Sequence, residues 1–244
     1  AVAGRPDVLV FTKLAPRPAG SGFDARGVRA GAEASLRRLG REVIDVYQLH
    51  WPDGSVPVEE TWEAMAGLVD DGLVRWTGLS NVGTEAVARC AAIRHVDSVQ
   101  PHFSLLHRNE QAELIAACAA AGTGVIAYGP LAYGLLTGVF DEGTVFGDDD
   151  WRSGRHGIGA YHELFAPEPY ARNLAVVDRL RPIAAGAGVT LGQLALAWVV
   201  HQPGVTAAIA GSRSPAHVRE NSAAGGVPLD AATLEAIEAA VAGA

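Results

Sequence analysis

The sequence predicts an α/β fold in which parallel strands alternate with helices. Short β-branched runs are separated by longer stretches with apolar residues at helical spacing. The strand candidates are continuous apolar runs, which is typical of strands covered on both faces. Because strands separated by helices need parallel crossover connections, we expect an open sheet or a barrel. No linker-like stretch divides the 244 residues, so residues 1–244 are predicted to form a single domain.

Six strands are predicted, with helical segments between and after them. The strands are predicted over 8–13, 43–50, 77–81, 96–99, 124–128 and 205–210. The helices are predicted over 25–39, 59–71, 84–93, 111–121, 170–185, 191–202, 215–221 and 230–241. The stretch 138–168, rich in glycine, aspartate and histidine, is predicted to be an inserted active-site loop.

Composition excludes several classes of partner. The formal net charge is -8 and the basic residues are scattered, which disfavours nucleic acid as a partner. The longest apolar runs have about ten residues, half of what a bilayer span needs, and no charged-then-apolar leader opens the chain. We therefore expect no membrane contact and a cytoplasmic protein. Cys90 and Cys118 have no metal or redox spacing and are predicted to be small buried hydrophobes.

Polar residues stand at the carboxyl ends of five predicted strands. They are Lys13, His50, Asn81, Gln100 and Tyr128. Parallel barrels build their active sites at this end of the strands. Each residue alone could be a solvated strand end or a turn residue, but their joint placement favours an active site.

Short motifs follow one another over the whole chain. They are Phe11-Thr12-Lys13, residues 44–52 (IDVYQLHWP), Gly78-Leu79-Ser80-Asn81, Gln100 with Ser104-Leu105-Leu106, residues 127–131 (AYGPL), residues 134–138 (GLLTG) and residues 211–215 (GSRSP). In this order they resemble the aldo-keto reductase superfamily. The pattern is closer to its bacterial branch, because Gly211 stands where a lysine is common.

The resemblance implies a (β/α)8 TIM barrel and an oxidoreductase. Such an enzyme would reduce an aldehyde or ketone, a small-molecule substrate, to an alcohol by hydride transfer from NADP(H). Lys13 and His50 match two of the family's four catalytic positions, and Trp51 and Trp151 are predicted to line the substrate site. The cofactor-binding residues implied are Ser80, Asn81, Gln100, Tyr128, Gly129, Leu131, Gly134, Gly211, Ser212, Arg213, Glu220 and Asn221.

These assignments also suit the chemistry. Hydride transfer leaves negative charge on the carbonyl oxygen, so the site needs a proton donor and a polar pocket. A neutral imidazole such as His50 can orient the carbonyl, and a lysine such as Lys13 can lower the pKa of a neighbouring phenol. The guanidinium of Arg213 suits a 2′-phosphate, which favours NADP over NAD.

The family's barrel has eight strands, whereas six are predicted here. By resemblance, the first two βα units are lacking, and with them the catalytic aspartate and the tyrosine that donates the proton. We therefore expect the chain itself to be impaired in catalysis. Asp45, Tyr47 and Tyr133 do not stand at the positions of the absent residues.

Two alternatives to a reductase remain open. One is a catalytically silent NADP(H)-binding barrel that acts as a sensor or partner subunit. The other, with less support, is a lyase or aldolase that uses Lys13 as a Schiff-base amine. No metal ligand is expected, because Asp148-Asp149-Asp150 resembles a solvated surface run, and His156 and His162 lack zinc spacing.

Overall fold

A computed structural model describes residues 5, 7–15, 22–52, 54–108, 111–155 and 159–242. These ranges contain six strands and nine α-helices. The strands are β1 (Phe11–Leu14), β2 (Ile44–Leu49), β3 (Val74–Ser80), β4 (Ser98–Gln100), β5 (Gly124–Tyr128) and β6 (Val205–Ile209). The helices are α1 (Ala25–Leu39), α2 (Val58–Asp70), α3 (Thr84–Ala91), α4 (Ala112–Ala121), α5 (Gly159–Leu164), α6 (Pro167–Gly186), α7 (Leu191–His201), α8 (Pro215–Ala223) and α9 (Ala231–Val241).

The strands form one sheet in the order of the chain, β1-β2-β3-β4-β5-β6. The pairs from β1 to β5 are parallel, and their register places Lys13 beside Gln48, Gln48 beside Gly78, and Ser80 beside Gln100. The carboxyl ends of β1 to β4 therefore lie along one edge. Successive βα units joined in this way are the arrangement that builds a parallel barrel.

The chain divides into two compact units. The first comprises Ala1–Pro101 and Ala112–Ile126, and the second comprises His102–Gln111 and Ala127–Ala244. In the first unit, α1 packs against α2 and both helices bury apolar residues such as Val28, Trp62 and Met65. Every residue of β2 is buried, as the continuous apolar pattern of residues 43–50 predicts.

The second unit has a helical core. Helix α6 packs against α7 and α9, and Leu180, Leu194 and Trp198 are buried among them. A capping box begins α7, in which the side chain of Thr190 accepts from the backbone of Gln193 and the side chain of Gln193 accepts from the backbone of Thr190. In the first unit, Cys90 on α3 and Cys118 on α4 are buried free thiols, as predicted.

The structure differs from the sequence expectation in the stretch 138–168. This stretch is not a plain loop, since it contains a 3₁₀ turn over Trp151–Ser153 and the whole of α5. Helix α6 also begins three residues earlier than expected. Pro167 and Pro169 fall in its first turn, where the lack of an N–H has no cost to the helix.

Among the described residues, no single helix is long and apolar enough to cross a membrane. Helices α6 and α7 meet the length and hydropathy criterion only when taken together, and the chain bends by 89° between them.

Candidate active site

Lys13 and His50 lie at the same end of the sheet. Lys13 is the next-to-last residue of β1, and His50 directly follows β2. The backbone N–H of His50 donates to the carbonyl oxygen of Leu14 over 3.0 Å, which continues the β1–β2 pairing to this point. The backbone thus places both residues at the carboxyl edge, where the strand pattern predicts an active site.

Lys13 is the only lysine in the sequence. Its side chain is partly buried, and burial lowers the pKa of its ammonium group. No carboxylate among the described residues forms an ion pair with it. A positive charge that is partly removed from water and not neutralised acts strongly on neighbouring groups.

Asn81 ties the ends of two strands together. Its backbone has a φ of 56°, in the left-handed region that asparagine tolerates better than most residues. The side-chain Nδ2 donates to the carbonyl oxygen of His50 over 2.9 Å and to Oγ of Ser80 over 3.2 Å. Oγ of Ser80 donates in turn to the carbonyl oxygen of Gln100 over 2.8 Å. Three predicted cofactor residues and His50 therefore belong to one hydrogen-bonded group.

A buried chain of amides lies below this group. Nε2 of Gln100 donates to Oε1 of Gln48 over 3.0 Å, and Nε2 of Gln48 donates to Oγ of Ser98 over 3.1 Å. A Cβ at Gly78 would lie 2.2 Å from Oγ of Ser98, so glycine is required there. Sequence reasoning missed Gln48 and Ser98. The signal for Gln48 was a polar residue between Tyr47 and Leu49 near the carboxyl end of a fully buried strand.

Asp45 has a structural role at the opposite end of β2. Its buried carboxylate pairs with Arg41 over 3.0 Å and with Arg75 over 3.2 Å, and it accepts from the backbone N–H of Val10 over 2.8 Å. The interpretation that Asp45 is not the catalytic aspartate agrees with this placement.

The two predicted substrate residues are each in contact with another aromatic ring. In the first unit, Trp51 is 51% exposed and stacks on His50 with 3.8 Å between ring centroids. In the second unit, Trp151 packs edge-on against Tyr133 at 5.0 Å and Phe165 at 5.4 Å. Their contact with substrate stays a prediction.

A cavity of about 560 Å³ lies in the second unit. Seven of the predicted cofactor residues line it: Gly129, Leu131, Gly134, Gly211, Ser212, Glu220 and Asn221. Tyr128 and Arg213 are not among its lining residues. The structure thus gathers most of the predicted cofactor-binding residues of the second unit around one space.

The amino end of α8 faces this cavity through His217. Ser214 caps the helix, and Pro215 occupies its first turn. Oγ of Ser212 accepts from the backbone N–H of Ser214 over 3.0 Å, which orders the turn before the helix. The free amides and the dipole at such a helix end attract anions. On the same helix, Glu220 accepts from Oγ1 of Thr190 over 2.7 Å.

Three tyrosines of the described residues, Tyr47, Tyr128 and Tyr133, are weak acids. Burial raises the pKa of Tyr47 and of Tyr128 to about 12, and burial also raises the pKa of Tyr133. Tyr47 is fully buried next to α1, where its hydroxyl lies close to Gly31. None of these three groups has the pKa near neutrality that suits a general acid.

Comparison with known proteins identifies the family. The sequence model of the aldo/keto reductase family matches residues 2–242. The chain belongs to the aldo/keto reductase family. This family has a (β/α)8 barrel and carries out NAD(P)H-dependent carbonyl reduction, so the predicted fold class and activity class are confirmed.

Curated relatives and solved structures are similar to this aldo/keto reductase. It is 31% identical over 227 residues to a probable voltage-gated potassium channel subunit beta of Arabidopsis thaliana, covering 89% of this chain and 68% of that protein. It is 34% identical to the aldo-keto reductase YhdN of Bacillus subtilis, covering 75% and 54%. The structure of the glycerol dehydrogenase AKR11B4 from Gluconobacter oxydans superimposes with a TM-score of 0.86 and 28% identity, covering 99% and 74%.

The extent of the family match bears on the first two βα units. Since the match runs over nearly the whole chain, it gives no support to the expectation that these units are lacking. The chain spans about half of YhdN and about three quarters of the glycerol dehydrogenase.

Proposed function

We propose that this aldo/keto reductase reduces an aldehyde or ketone with NADPH, and that Lys13 and His50 are its catalytic residues. The observation that carries the proposal is the joint placement of the two residues at the carboxyl ends of β1 and β2. This is the end at which parallel barrels hold their reacting groups.

His50 is proposed to orient the substrate carbonyl. Its main chain is held by the bond from its N–H to Leu14 and by the bond from Asn81 to its carbonyl oxygen. The stacked ring of Trp51 covers one face of the imidazole. A side chain restrained in this way can present a hydrogen bond to a developing alkoxide with little reorganisation.

Lys13 is proposed to stabilise negative charge at the reacting oxygen or at the group that gives it a proton. A partly buried ammonium that pairs with no carboxylate of the described residues suits this role, because those residues do not cancel its charge. As the only lysine, it can be altered chemically without side reactions at other lysines.

Both units contain residues suited to a nicotinamide cofactor. In the first unit, Ser80, Asn81 and Gln100 are proposed to hold the nicotinamide carboxamide, since the bond from Nε2 of Gln100 to Gln48 fixes that amide and leaves Oε1 to accept. In the second unit, the cavity lined by Gly129, Gly211 and Ser212 offers backbone amides and a helix end to phosphates. A bound nicotinamide cofactor would supply the hydride.

NADPH is proposed over NADH because of Arg213. This exposed guanidinium directly follows Ser212 of the cavity wall and precedes the amino end of α8. A planar guanidinium can form paired charged hydrogen bonds to a phosphate monoester, which NADH lacks.

A second candidate function is cofactor binding without turnover. Two plant relatives, in Arabidopsis thaliana and Oryza sativa, are described as probable potassium channel beta subunits, each 31% identical to this chain. The raised pKa values of Tyr47, Tyr128 and Tyr133 also favour this candidate, since these three phenols are poorly suited to donate a proton at neutral pH. We propose that the proton donor belongs to the two further βα units that the family resemblance implies.

One experiment separates the two candidates. Three proteins are compared: the 244-residue chain, Lys13→Met and a version carrying two further βα units. For each protein, NADPH binding is measured by fluorescence titration, and NADPH oxidation is measured with an aromatic aldehyde. The reductase proposal expects the extended version to be at least about a hundredfold faster than the 244-residue chain, which is the lower range for general-acid catalysis. It also expects Lys13→Met to abolish turnover while binding persists.

Binding without oxidation in every version would instead support the silent barrel. Comparable rates for the two wild-type versions would place the proton donor within these 244 residues. Trapping of a carbonyl substrate by borohydride would test the aldolase alternative, since Lys13 is the only lysine that could be labelled.

A further inference from the structure

Two histidines and a glutamate converge in the second unit. His102 follows β4, His107 lies five residues later across a turn, and Glu163 lies on α5. One ligand-capable atom from each of the three side chains lies within 4.8 Å of the others. The sequence interpretation missed this group because the spacing of the two histidines matches no common zinc motif and Glu163 is distant in sequence.

The backbone holds the two histidines in place. Ser104 and His107 form a pair of backbone hydrogen bonds, of 3.0 and 3.1 Å, that closes the turn between the histidines. His102 forms a parallel bridge to Tyr128, and the next residue, Phe103, donates its N–H to the carbonyl oxygen of Tyr128 over 3.0 Å. The imidazole rings of His102 and His107 stack with centroids 4.4 Å apart. Backbone hydrogen bonds and ring stacking therefore hold the two histidines close together.

One nitrogen of this group is buried without a partner. His102 is 9% exposed, and its Nε2 has no hydrogen-bond partner among the described residues. Buried polar atoms are nearly always paired, so an unpaired one needs an explanation such as an ion or ligand. The absence of a side chain at Gly129 leaves room for this edge of the ring, because a Cβ there would lie 2.7 Å from Nε2.

We propose that His102, His107 and Glu163 form a binding site for a divalent transition metal of the zinc type. Two imidazoles and one carboxylate are a donor set that zinc uses, and they leave a fourth position for water or another ligand. Nδ1 of His107 and Oε2 of Glu163 are 3.6 Å apart. Ligand atoms of a tetrahedral zinc ion are separated by about 3.4 Å, so this pair needs only a small adjustment.

The location of Glu163 gives an ion a path to the site. Its side chain is 56% exposed, whereas the side chain of His107 is 17% exposed. An ion can therefore approach from solvent on the side of α5 and meet the imidazoles behind the carboxylate. The proposal does not depend on the reductase activity, because it rests on the second unit's residues alone.

Cobalt binding tests the site directly. The protein is treated with a chelator, dialysed and titrated with Co²⁺, whose visible absorption reports coordination by protein ligands, and Zn²⁺ stoichiometry is measured by equilibrium dialysis. We expect one equivalent to bind. Glu163→Gln and His107→Asn should each weaken binding by at least about tenfold, the smallest effect usual for groups at a metal site.

The matched control is His162→Asn, which removes an exposed histidine next to Glu163 that is outside the three-residue group. Its binding should equal that of the wild type. Thermal unfolding of each variant without metal shows whether it is folded, and Glu163→Gln should be, since the residue is largely exposed.

Zn²⁺ should raise the melting temperature of the wild type and of His162→Asn but not of Glu163→Gln. Several weak equivalents in place of one, equal affinity in wild type and Glu163→Gln, or an equal loss in His162→Asn would each overturn the proposal.

Discussion

The side-chain amide of Asn81 donates a hydrogen bond of 2.9 Å to the backbone carbonyl oxygen of His50. Asn81 directly follows β3 and His50 directly follows β2, so this bond joins two neighbouring strand ends beyond the last bond of the sheet. It fixes the main chain of a proposed catalytic residue through a proposed cofactor residue. Loss of cofactor affinity and loss of catalytic geometry are therefore expected to be coupled at this position.

Two substitutions at Asn81 separate the effect of backbone strain from the effect of losing the side-chain hydrogen bonds. Asn81→Gly removes the amide but tolerates the positive φ, whereas Asn81→Ala removes the amide and adds backbone strain. We expect the alanine variant to be less stable than the glycine variant by about 1 kcal/mol, measured by urea unfolding. Both should bind NADPH more weakly than the wild type. Equal stability of the two variants would contradict the left-handed conformation.

Gly78→Ala is expected to disrupt the buried hydrogen bond from the side-chain amide of Gln48 to the hydroxyl of Ser98. The added Cβ overlaps Oγ and the carbonyl oxygen of Ser98, so overpacking should cost about 1–3 kcal/mol of unfolding free energy. The matched control is Gly67→Ala in α2, where a Cβ would meet nothing within 4 Å. That variant should be more stable by about 0.5–1 kcal/mol, because alanine favours a helix over glycine. A neutral effect at Gly78 would argue against the close contact between β3 and β4.

Asp45→Asn should lower stability without a specific effect on turnover. The Asp45 carboxylate is buried, and the change breaks its ion pairs with Arg41 and Arg75. The free energy of unfolding, measured with denaturant, should therefore fall by about 1–3 kcal/mol. Asp70→Asn breaks an ion pair with Arg94 in which the carboxylate is well exposed, and its effect should be below about 1 kcal/mol. A selective loss of turnover in Asp45→Asn, measured well below its melting temperature, would give Asp45 a role in the chemistry.

Arg213→Ala should remove most of the preference for NADPH over NADH. The substitution deletes the proposed charge partner of the 2′-phosphate and leaves the rest of the cofactor site in place. Arg219→Ala, an exposed arginine on α8 that is not among the cavity residues, is the control and should leave the preference unchanged. An unaltered ratio of dissociation constants in Arg213→Ala would refute the assignment.

The ionisation of Lys13 can be read in the intact protein. Reductive methylation with ¹³C-formaldehyde labels only this side chain and the amino terminus, because the sequence has no other lysine. Burial lowers its pKa, so the NMR titration midpoint of the folded chain should lie below that of the same chain unfolded in urea. Identical midpoints would indicate that the side chain is fully solvated.

Much of the fold follows from local patterns in the sequence. All six strands and eight of the nine helices were predicted, because apolar periodicity reports which face of each element is covered. Helix α5 was missed since its six residues include glycine, histidine and glutamate and offer no apolar stripe. Its position depends on tertiary contacts with α6.

The candidate site was predictable where a residue stands at a strand end. Lys13, His50 and Asn81 lie at strand ends as predicted, because strand termini can be located from sequence alone, and their roles stay predictions. Gln48, Ser98 and the group of His102, His107 and Glu163 were not found, because their proximity arises from register and from a turn. Such proximities between residues distant in the chain carry no local sequence pattern.

The strand order has a consequence for how the chain can fold during synthesis. Paired residues of neighbouring strands are separated by as few as 20 positions, for Gly78 and Ser98, and by 35 for Phe11 and Val46. Each new strand that leaves the ribosome finds its parallel partner already made, since that partner belongs to the preceding unit. The sheet of β1 to β5 can therefore grow in the direction of translation, one βα unit at a time, without waiting for a distant segment.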